Sequence, residues 1–123
     1  MIVGIGVDVV YIHRMKRWQE TPGLLERYFH SDELSASLER GKGAVLSLAA
    51  RFAAKEAFGK ALGTGLEGLA LKDIMVKNRH NGQPEIIVSG TASAALEKSG
   101  AVHIHVSLTH EKDNAIAMVV LEK

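Results

Sequence analysis

Apolar residues dominate three segments of the 123-residue chain. Residues 2–10 are almost continuously apolar and β-branched, apart from two glycines and Asp8, and this run predicts a buried strand. Residues 44–62 consist largely of Ala, Leu, Val and Phe and predict a long helix that is buried on most sides. Residues 115–121 form the last apolar run, which predicts a strand buried on both faces.

Charged and turn-forming residues divide the rest of the first half into short helices. Residues 11–20 place Ile, Met and Trp at helical spacing and predict a helix that ends at Thr21-Pro22-Gly23. A helical turn is expected at 24–29. Ser31 is the expected N-cap of the next helix, because two acids follow it in the first turn, and this helix is expected to reach about Arg40.

The second half of the chain carries strand signals on both sides of one small helix. Residues 74–77 and 84–88 predict the two strands of a hairpin, because Asn81-Gly82 between them favours a tight turn. An alanine-rich helix is expected at 89–99. Residues 102–109 alternate between apolar and polar side chains, which predicts a strand with two unlike faces.

The composition is that of an ordinary globular protein. We expect one domain over 1–123, with 46% hydrophobic residues. A net charge of +1 does not favour nucleic-acid binding. The absence of cysteine excludes disulfides and thiolate zinc sites. The first residues do not resemble a signal peptide and no apolar run suits a membrane span, so we expect a cytoplasmic protein without a membrane partner.

Four charges interrupt the apolar helix predicted at 44–62. At 100° per residue, Arg51 and Lys55 share one stripe, and Glu56 and Lys60 share another about 100° further round. Because the two stripes adjoin, the four side chains could line one groove. The cluster is either a structural set of ion pairs or a working site, since burying an unpaired charge is costly. Glu56 and Lys60, at i and i+4, also fit a plain surface pair.

Asp8 and the basic first helix each have two interpretations. Strands disfavour Asp, so Asp8 in the first apolar run is either a cap or turn residue or a functional carboxylate. Arg14, Lys16 and Arg17 lie together on the first helix. They form either a solvated face or a docking site for an acidic partner.

Histidines and glycines supply further candidates. His103 and His105 share one face of the predicted strand, at a spacing that suits either a zinc site or an ordinary polar face. His110 lies where this strand turns, a position at which reactive side chains occur. The segment 63–68 has the pattern G-x-G-x-x-G but follows a helix, whereas a dinucleotide-binding loop follows a strand. We expect it to end the helix and to offer backbone N–H groups to a phosphate.

Three separated segments together resemble one family. They are Gly4-Ile5-Gly6-Val7-Asp8-Val9 with Ile12 and Arg14, then Arg51-Phe52-Ala53-Ala54-Lys55-Glu56-Ala57, and last His105-Val106-Ser107-Leu108-Thr109-His110. In this order and at these separations they are similar to the holo-acyl-carrier-protein synthases, small bacterial 4′-phosphopantetheinyl transferases. The resemblance covers essentially the whole chain. It implies an α+β fold in which a small antiparallel sheet packs on a long central helix.

The resemblance implies a reaction and its partners. The family transfers 4′-phosphopantetheine from coenzyme A to a serine of apo acyl carrier protein, releases adenosine 3′,5′-bisphosphate and supports fatty acid biosynthesis. Magnesium is required, and the family's two metal-binding carboxylates match Asp8 and Glu56. Members are homotrimers with sites between neighbouring subunits. The matched residues suit Mg²⁺, which usually takes one or two carboxylates from a protein and fills its other positions with water and phosphate oxygens.

The resemblance also implies roles for the remaining site residues. Catalysis is expected to involve Asp8, Glu56, Lys60 and His110. Coenzyme A is expected to contact basic, loop and turn residues, namely Arg51, Lys55, Lys60, Gly63, Thr64, Gly65, Gly82, Pro84, His105, Thr109 and His110. The acidic carrier protein is expected to dock on Arg14, Lys16 and Arg17.

Several roles stay open at the level of the sequence. The proton of the carrier serine can pass to a metal-bound water, to Asp8 or to His110. Tyr11 departs from the family pattern, because many relatives carry an acid here that supports the metal. Two other functions use the same residues. One is a metal-dependent nucleotide hydrolase built on Asp8 and Glu56, and the other is a trimeric binding module whose charged helix is a structural ion-pair network.

Overall fold

The computed structural model describes residues 1–123 and has the expected α+β architecture. Its helices and strands follow in the order β1 (Ile2–Tyr11), α1 (His13–Gln19), α2 (Leu24–Tyr28), α3 (Ser31–Leu38), α4 (Ala44–Leu62), β2 (Ile74–Asn78), β3 (Pro84–Val88), α5 (Gly90–Ser99), β4 (His103–His110) and β5 (Asn114–Glu122). Short 3-10 turns precede α4 and β2.

A three-stranded antiparallel sheet in the order β1-β5-β4 packs against α4, while β2 and β3 form a separate antiparallel hairpin. The expected sheet on a long central helix is therefore confirmed. The inner face of the sheet is the one that meets α4. In β5 it carries four fully buried side chains, Ala115, Ala117, Val119 and Leu121. Burial of these apolar side chains is the main force that holds the layers together.

Strand β1 approaches α4 unusually closely at two glycines. A Cβ atom added to Gly4 would lie 1.9 Å from the carbonyl oxygen of Ala61, and one added to Gly6 would lie 1.9 Å from that of Ala57. No side chain fits at either position, because the helix backbone already occupies the space. The close approach brings the next inward-facing residue of the strand, Asp8, to the surface of α4.

The other face of the sheet corrects one expectation. The apolar run at 115–121 predicts burial on both faces, but Met118 is 45% exposed and its neighbours Ile116 and Val120 are only partly buried. In β1 the residues that point the same way are all more than half exposed, namely Ile5, Val7, Val9 and Tyr11. We call this surface of β1 and β5 the outer face. Its apolar side chains have no covering layer within the chain.

Helix α3 also begins differently from the expectation. Its N-cap is His30 rather than Ser31, and His30 Nδ1 accepts a hydrogen bond from the backbone N–H of Asp32 at 3.0 Å. Glu33 completes a capping box, because its Oε1 accepts from the backbone N–H of His30 at 3.0 Å. The helix ends at Leu38, earlier than expected.

The remaining elements agree with the sequence. Helix α4 has the expected limits, and Gly63 ends it in the left-handed conformation (φ 85°) that favours glycine. The hairpin of β2 and β3 forms as predicted, and α5 ends at Gly100. None of the helices combines the length and the apolar character that crossing a membrane requires.

Candidate active site

The close packing of β1 on α4 brings two carboxylates to one place. Asp8 lies on the inner face of β1, opposite Ala117 of β5, and its side chain is 16% exposed. Lys60, near the end of α4, donates from Nζ to Asp8 Oδ1 at 3.0 Å and to the carbonyl oxygen of Val7 at 3.1 Å. Glu56 lies one turn before Lys60 on the same stripe of the helix.

The charge of Asp8 acts on Glu56. Burial raises the pKa of Glu56, the Asp8 carboxylate raises it further, and Lys60 and Arg14 lower it in part. Glu56 makes no hydrogen bond or ion pair of its own. Asp8 is paired with Lys60, whereas the neighbouring Glu56 has no cation partner. Binding of a further cation would therefore stabilise the two carboxylates.

The donor set of this pair suits magnesium. No three His, Asp or Glu side chains of the chain lie close enough together to hold a metal ion by themselves. Asp8 and Glu56 are a pair, which is the protein contribution usual for Mg²⁺ when waters and phosphate oxygens complete the shell. The same finding leaves the zinc interpretation of His103 and His105 without a third protein ligand.

Lys55 does not belong to this site, which corrects its expected role as a coenzyme A ligand. The side chain is fully buried, and Nζ donates to Glu33 Oε1 at 2.7 Å, to the carbonyl oxygen of Leu71 at 2.9 Å and to that of Ile74. All three ammonium donors are therefore in use. Burial lowers the pKa of Lys55, and the Glu33 carboxylate opposes the shift.

Arg51 is partly structural and partly open to a cavity. Its Nε donates to Ser37 Oγ at 3.1 Å and to Ser47 Oγ at 3.3 Å, and Nη1 donates to the carbonyl oxygen of Val76. Burial lowers the pKa of Arg51, and the Glu33 carboxylate opposes this. Nη2 has no partner within the protein. The guanidinium is thus fixed by internal contacts and can present its remaining nitrogen to a ligand.

The cavity beside Arg51 gathers several predicted coenzyme A ligands. It has a volume of about 640 Å³. Its walls come from α4, from the hairpin of β2 and β3, and from the end of β4, and they include Arg40, Arg51, Gly82, Pro84, Thr109 and His110. Five of these six residues are predicted site residues, and Arg40 is the exception that sequence reasoning missed.

The cavity and the carboxylate pair lie on opposite sides of α4. Neither Asp8 nor Glu56 lines the cavity. Arg51 and Glu56 are five residues apart, which places them about 140° apart around the helix axis. The expectation that the charges of α4 line one groove is therefore wrong. The chain therefore presents two separate groups of candidate site residues, which we name the carboxylate half, around Asp8, and the cavity half, around Arg51.

Other predicted residues divide between these halves and the outer face. Gly63 donates its N–H to the carbonyl oxygen of Lys60 at 3.0 Å, so the segment with Thr64 and Gly65 begins at the carboxylate half. His105 belongs to neither half. It lies on the polar edge of the outer face, and its Nε2 is 2.9 Å from Glu122 Oε1. This hydrogen bond lowers the pKa of Glu122.

The basic residues of α1 do not share one surface. The Arg14 guanidinium carbon lies 5.5 Å from the ring centroid of Trp18 and 5.2 Å from that of Phe52. Lys16 instead lines a groove between α1, the start of α4 and the end of β4, and this groove shares His110 with the cavity beside Arg51. Arg14 is therefore the predicted docking residue that the fold places nearest the carboxylate half.

Tyr11 points away from the carboxylates. It is 54% exposed on the outer face, and its ring centroid lies 5.2 Å from that of His13. Strand alternation places it on the face opposite Asp8. An acid at this position of β1 would not touch the carboxylate pair within the same chain.

Comparison with known proteins decides the family. A model of the 4′-phosphopantetheinyl transferase superfamily matches residues 4–119. The chain belongs to this superfamily. A holo-[acyl-carrier-protein] synthase of Treponema denticola is 52% identical over 122 residues, which are 99% of each chain. That of Treponema pallidum is 47% identical over 122 residues, covering 99% of this chain and 97% of the relative.

Solved structures of the superfamily match the whole fold. The crystal structure of holo-[acyl-carrier-protein] synthase from Neisseria meningitidis has a TM-score of 0.90 and 37% identity, with both chains fully covered. A holo-(acyl-carrier-protein) synthase from Bacillus anthracis, solved in complex with CoA (3′,5′-ADP), has a TM-score of 0.83 and 35% identity, covering 99% of this chain and 97% of that one. Both half-sites lie within the region that the superfamily model matches.

Proposed function

We propose that the chain transfers 4′-phosphopantetheine from coenzyme A to a serine of apo acyl carrier protein, with Mg²⁺, and releases adenosine 3′,5′-bisphosphate. The observation that carries the proposal is the Asp8–Glu56 pair, which the close packing of β1 on α4 brings together and in which Lys60 binds Asp8. Full-length similarity to holo-[acyl-carrier-protein] synthases supports the same activity. A cytoplasmic location remains a prediction.

Asp8 and Glu56 are the residues that would hold magnesium. When bound, a divalent cation there supplies charge that stabilises the phosphate oxygens during displacement. The residues themselves prepare the site. Asp8 is fixed by strand pairing and by Lys60, and Glu56 lies on α4 with a carboxylate that has no hydrogen-bond partner. Lys60 brings a side chain that is 52% exposed, so its ammonium can also reach a phosphate oxygen.

The cavity half suits the nucleotide end of coenzyme A. Arg51 offers Nη2 from a guanidinium that internal hydrogen bonds already hold in place, and such a preordered donor loses little freedom on binding a phosphate. Arg40 and His110 add donors at the cavity wall, while Gly82 and Pro84 shape its edge. A cavity of about 640 Å³ is within the range of small-molecule sites.

The two half-sites act together if subunits meet through the outer face. We propose a homotrimer in which the carboxylate half of one subunit faces the cavity half of the next. The apolar outer face supports assembly, because a surface with Ile5, Val7, Val9 and Met118 exposed gains from burial. The location of the half-sites on opposite sides of α4 supports an arrangement in which each site uses two subunits.

The transfer reaction exchanges one P–O bond for another. The serine oxygen of the carrier attacks the phosphorus that bears the pantetheine arm, and the bond from this phosphorus to the oxygen bridging to the nucleotide breaks. The leaving group is adenosine 3′,5′-bisphosphate, and Lys60 is placed to offset its charge. The serine proton needs an acceptor within hydrogen-bond reach, and Asp8 and His110 are the side chains with that chemistry.

Mass spectrometry of an apo carrier protein tests the reaction. The carrier is incubated with this protein, coenzyme A and Mg²⁺, and with each component left out in turn. We expect a phosphopantetheine adduct on one serine, formed only in the complete mixture. Cleavage of coenzyme A without modification of the carrier would contradict the proposal and would indicate a hydrolase.

Assembly through the outer face gives a separate prediction. Met118→Asp places a charge among apolar side chains, so we expect the trimer to dissociate and transfer to fall at least about tenfold, because desolvating an unpaired carboxylate is costly. Size-exclusion chromatography with light scattering measures the mass. The matched control is Ile87→Asp, which changes a 41% exposed residue of β3 outside this face. An unchanged trimer in the Met118 variant would contradict the interface.

A further inference from the structure

We infer that Arg14 couples carrier docking to cation binding at the Asp8–Glu56 pair. The inference rests on the proposed function and adds a regulation of the same site. When the carrier protein binds Arg14, it offsets the positive charge next to the carboxylate half. The carrier therefore acts on cation binding in addition to being a substrate. Similarity to known synthases does not by itself imply a link between carrier docking and cation binding.

The first support is the fixed position of the Arg14 charge. Its guanidinium carbon lies 5.5 Å from the ring centroid of Trp18 and 5.2 Å from that of Phe52, while the two rings meet edge to face with centroids 4.9 Å apart. Contacts of a cation with two aromatic faces restrict its movement. Arg14 thus joins α1 to α4, and its side chain stays exposed to a partner.

The second support is the location of Glu56 relative to these rings. Phe52 and Glu56 are four residues apart on α4, so their side chains lie one above the other on the same stripe of the helix. A cation over Phe52 is therefore the next charge along this stripe from Glu56.

The consequence concerns the affinity of the carboxylate pair for a cation. In the free protein, Arg14 adds positive potential next to Glu56 and so opposes the binding of a divalent cation. A carboxylate of the acidic carrier protein that pairs with Arg14 offsets this charge. Carrier binding then tightens cation binding, and by thermodynamic linkage the cation tightens carrier binding by the same factor.

Binding of Mn²⁺, followed by electron paramagnetic resonance, tests this coupling without turnover. The carrier has its acceptor serine replaced by alanine and is present at saturation. For the unsubstituted chain we expect the carrier to tighten Mn²⁺ binding about fivefold, the lower end of common coupling strengths. For Arg14→Gln we expect Mn²⁺ to bind the free protein about fivefold more tightly, with less than about twofold further change on adding carrier.

Three further variants separate the coupling from other effects. Arg14→Lys keeps the charge and should keep the affinity of the free protein for Mn²⁺. Arg17→Gln should weaken carrier binding but retain the coupling once carrier is saturating. Arg27→Gln, the same chemical change on α2, should leave Mn²⁺ binding as it is. Equal Mn²⁺ affinity in the free Arg14→Gln and unsubstituted proteins would overturn the inference.

Transfer assays on the same preparations distinguish failure of the Arg14 coupling from failure of the proposed transferase function. If serine-bearing carrier is modified but Mn²⁺ affinity does not respond to Arg14, the coupling is wrong and the transferase function stands. If Mn²⁺ affinity responds to Arg14 and to the carrier but no serine is modified, the proposed function is wrong. Tighter Mn²⁺ binding with Arg14→Gln, together with transfer by the unsubstituted chain, supports both.

Discussion

Glu56→Gln is expected to fold as the unsubstituted chain does and to lose transfer by about a thousandfold, the scale seen when one group that stabilises developing charge is removed. The amide keeps the shape of the side chain but cannot serve as an anionic ligand for Mg²⁺. The rate of carrier modification at saturating coenzyme A measures the loss. Glu97→Gln, the same change on α5, is the control and should leave the rate as it is.

The stability of this variant distinguishes a working site from a structural network. Burial and Asp8 raise the pKa of Glu56, so the folded state disfavours the carboxylate that is present at neutral pH. Replacing it with a neutral amide should therefore leave the free energy of unfolding unchanged or raise it slightly. A large loss of stability in Glu56→Gln would favour an ion-pair network. Retained transfer would remove Glu56 from the metal site.

Lys55→Met is expected to reduce the free energy of unfolding by about 3–5 kcal/mol, because it leaves the Glu33 carboxylate buried without its cation. Glu33 Oε2 accepts from the backbone N–H of Val76 at 3.0 Å, so this carboxylate connects α3 and α4 to β2. Urea denaturation at a fixed protein concentration measures the change, since the stability of an oligomer depends on concentration.

Two variants complete this second prediction. Lys60→Met, five residues along the same helix, should cost little stability because its side chain is 52% exposed, but it should lose transfer. The double variant Glu33→Gln with Lys55→Met should recover part of the lost stability, since no charge then remains buried. If Lys55→Met were as stable as the unsubstituted chain but bound coenzyme A weakly, Lys55 would be a phosphate ligand after all.

The sequence predicts most helices and strands because their signals are local. The nineteen residues of α4 form one apolar run that Gly63 ends, and Asn81-Gly82 determines the hairpin. Two features depend on contacts made elsewhere. His30 is the N-cap, although Ser is the more usual capping residue. Glu33 Oε1, which accepts from Lys55 Nζ, also accepts from the backbone N–H of His30 and so completes the capping box. Met118 is exposed within the chain, and in the proposed trimer a neighbouring subunit covers it.

The carboxylate half could be predicted because an acidic residue is unusual in the sequence around Asp8 and in that around Glu56. Asp is out of place in an apolar strand, as is Glu on an apolar helix. Lys55 and Lys60 could not be told apart in this way, since both lie on the same helix. The difference comes from Glu33 and from the carbonyl oxygen of Leu71, residues distant in sequence that only the fold brings to Lys55.

Helix periodicity alone does not predict that the two half-sites are separate. Periodicity places Arg51 about 140° from Glu56 but does not say which elements cover each side. In the fold, β1 takes the side of Glu56, while α3 and the hairpin take the side of Arg51. This separation is the reason for our proposal that the site is assembled from two chains of a trimer.

Subunit complementation tests this claim most directly. Glu56→Gln removes the carboxylate half, and His110→Glu places a repelling charge in the cavity half. The two variants are co-expressed with different affinity tags, and trimers that carry both tags are isolated. Each variant alone should be inactive, whereas mixed trimers should regain about one third of the transfer rate, because one of their three interfaces pairs two intact halves. Mixed trimers with no more activity than the separate variants would show that the site lies within one chain.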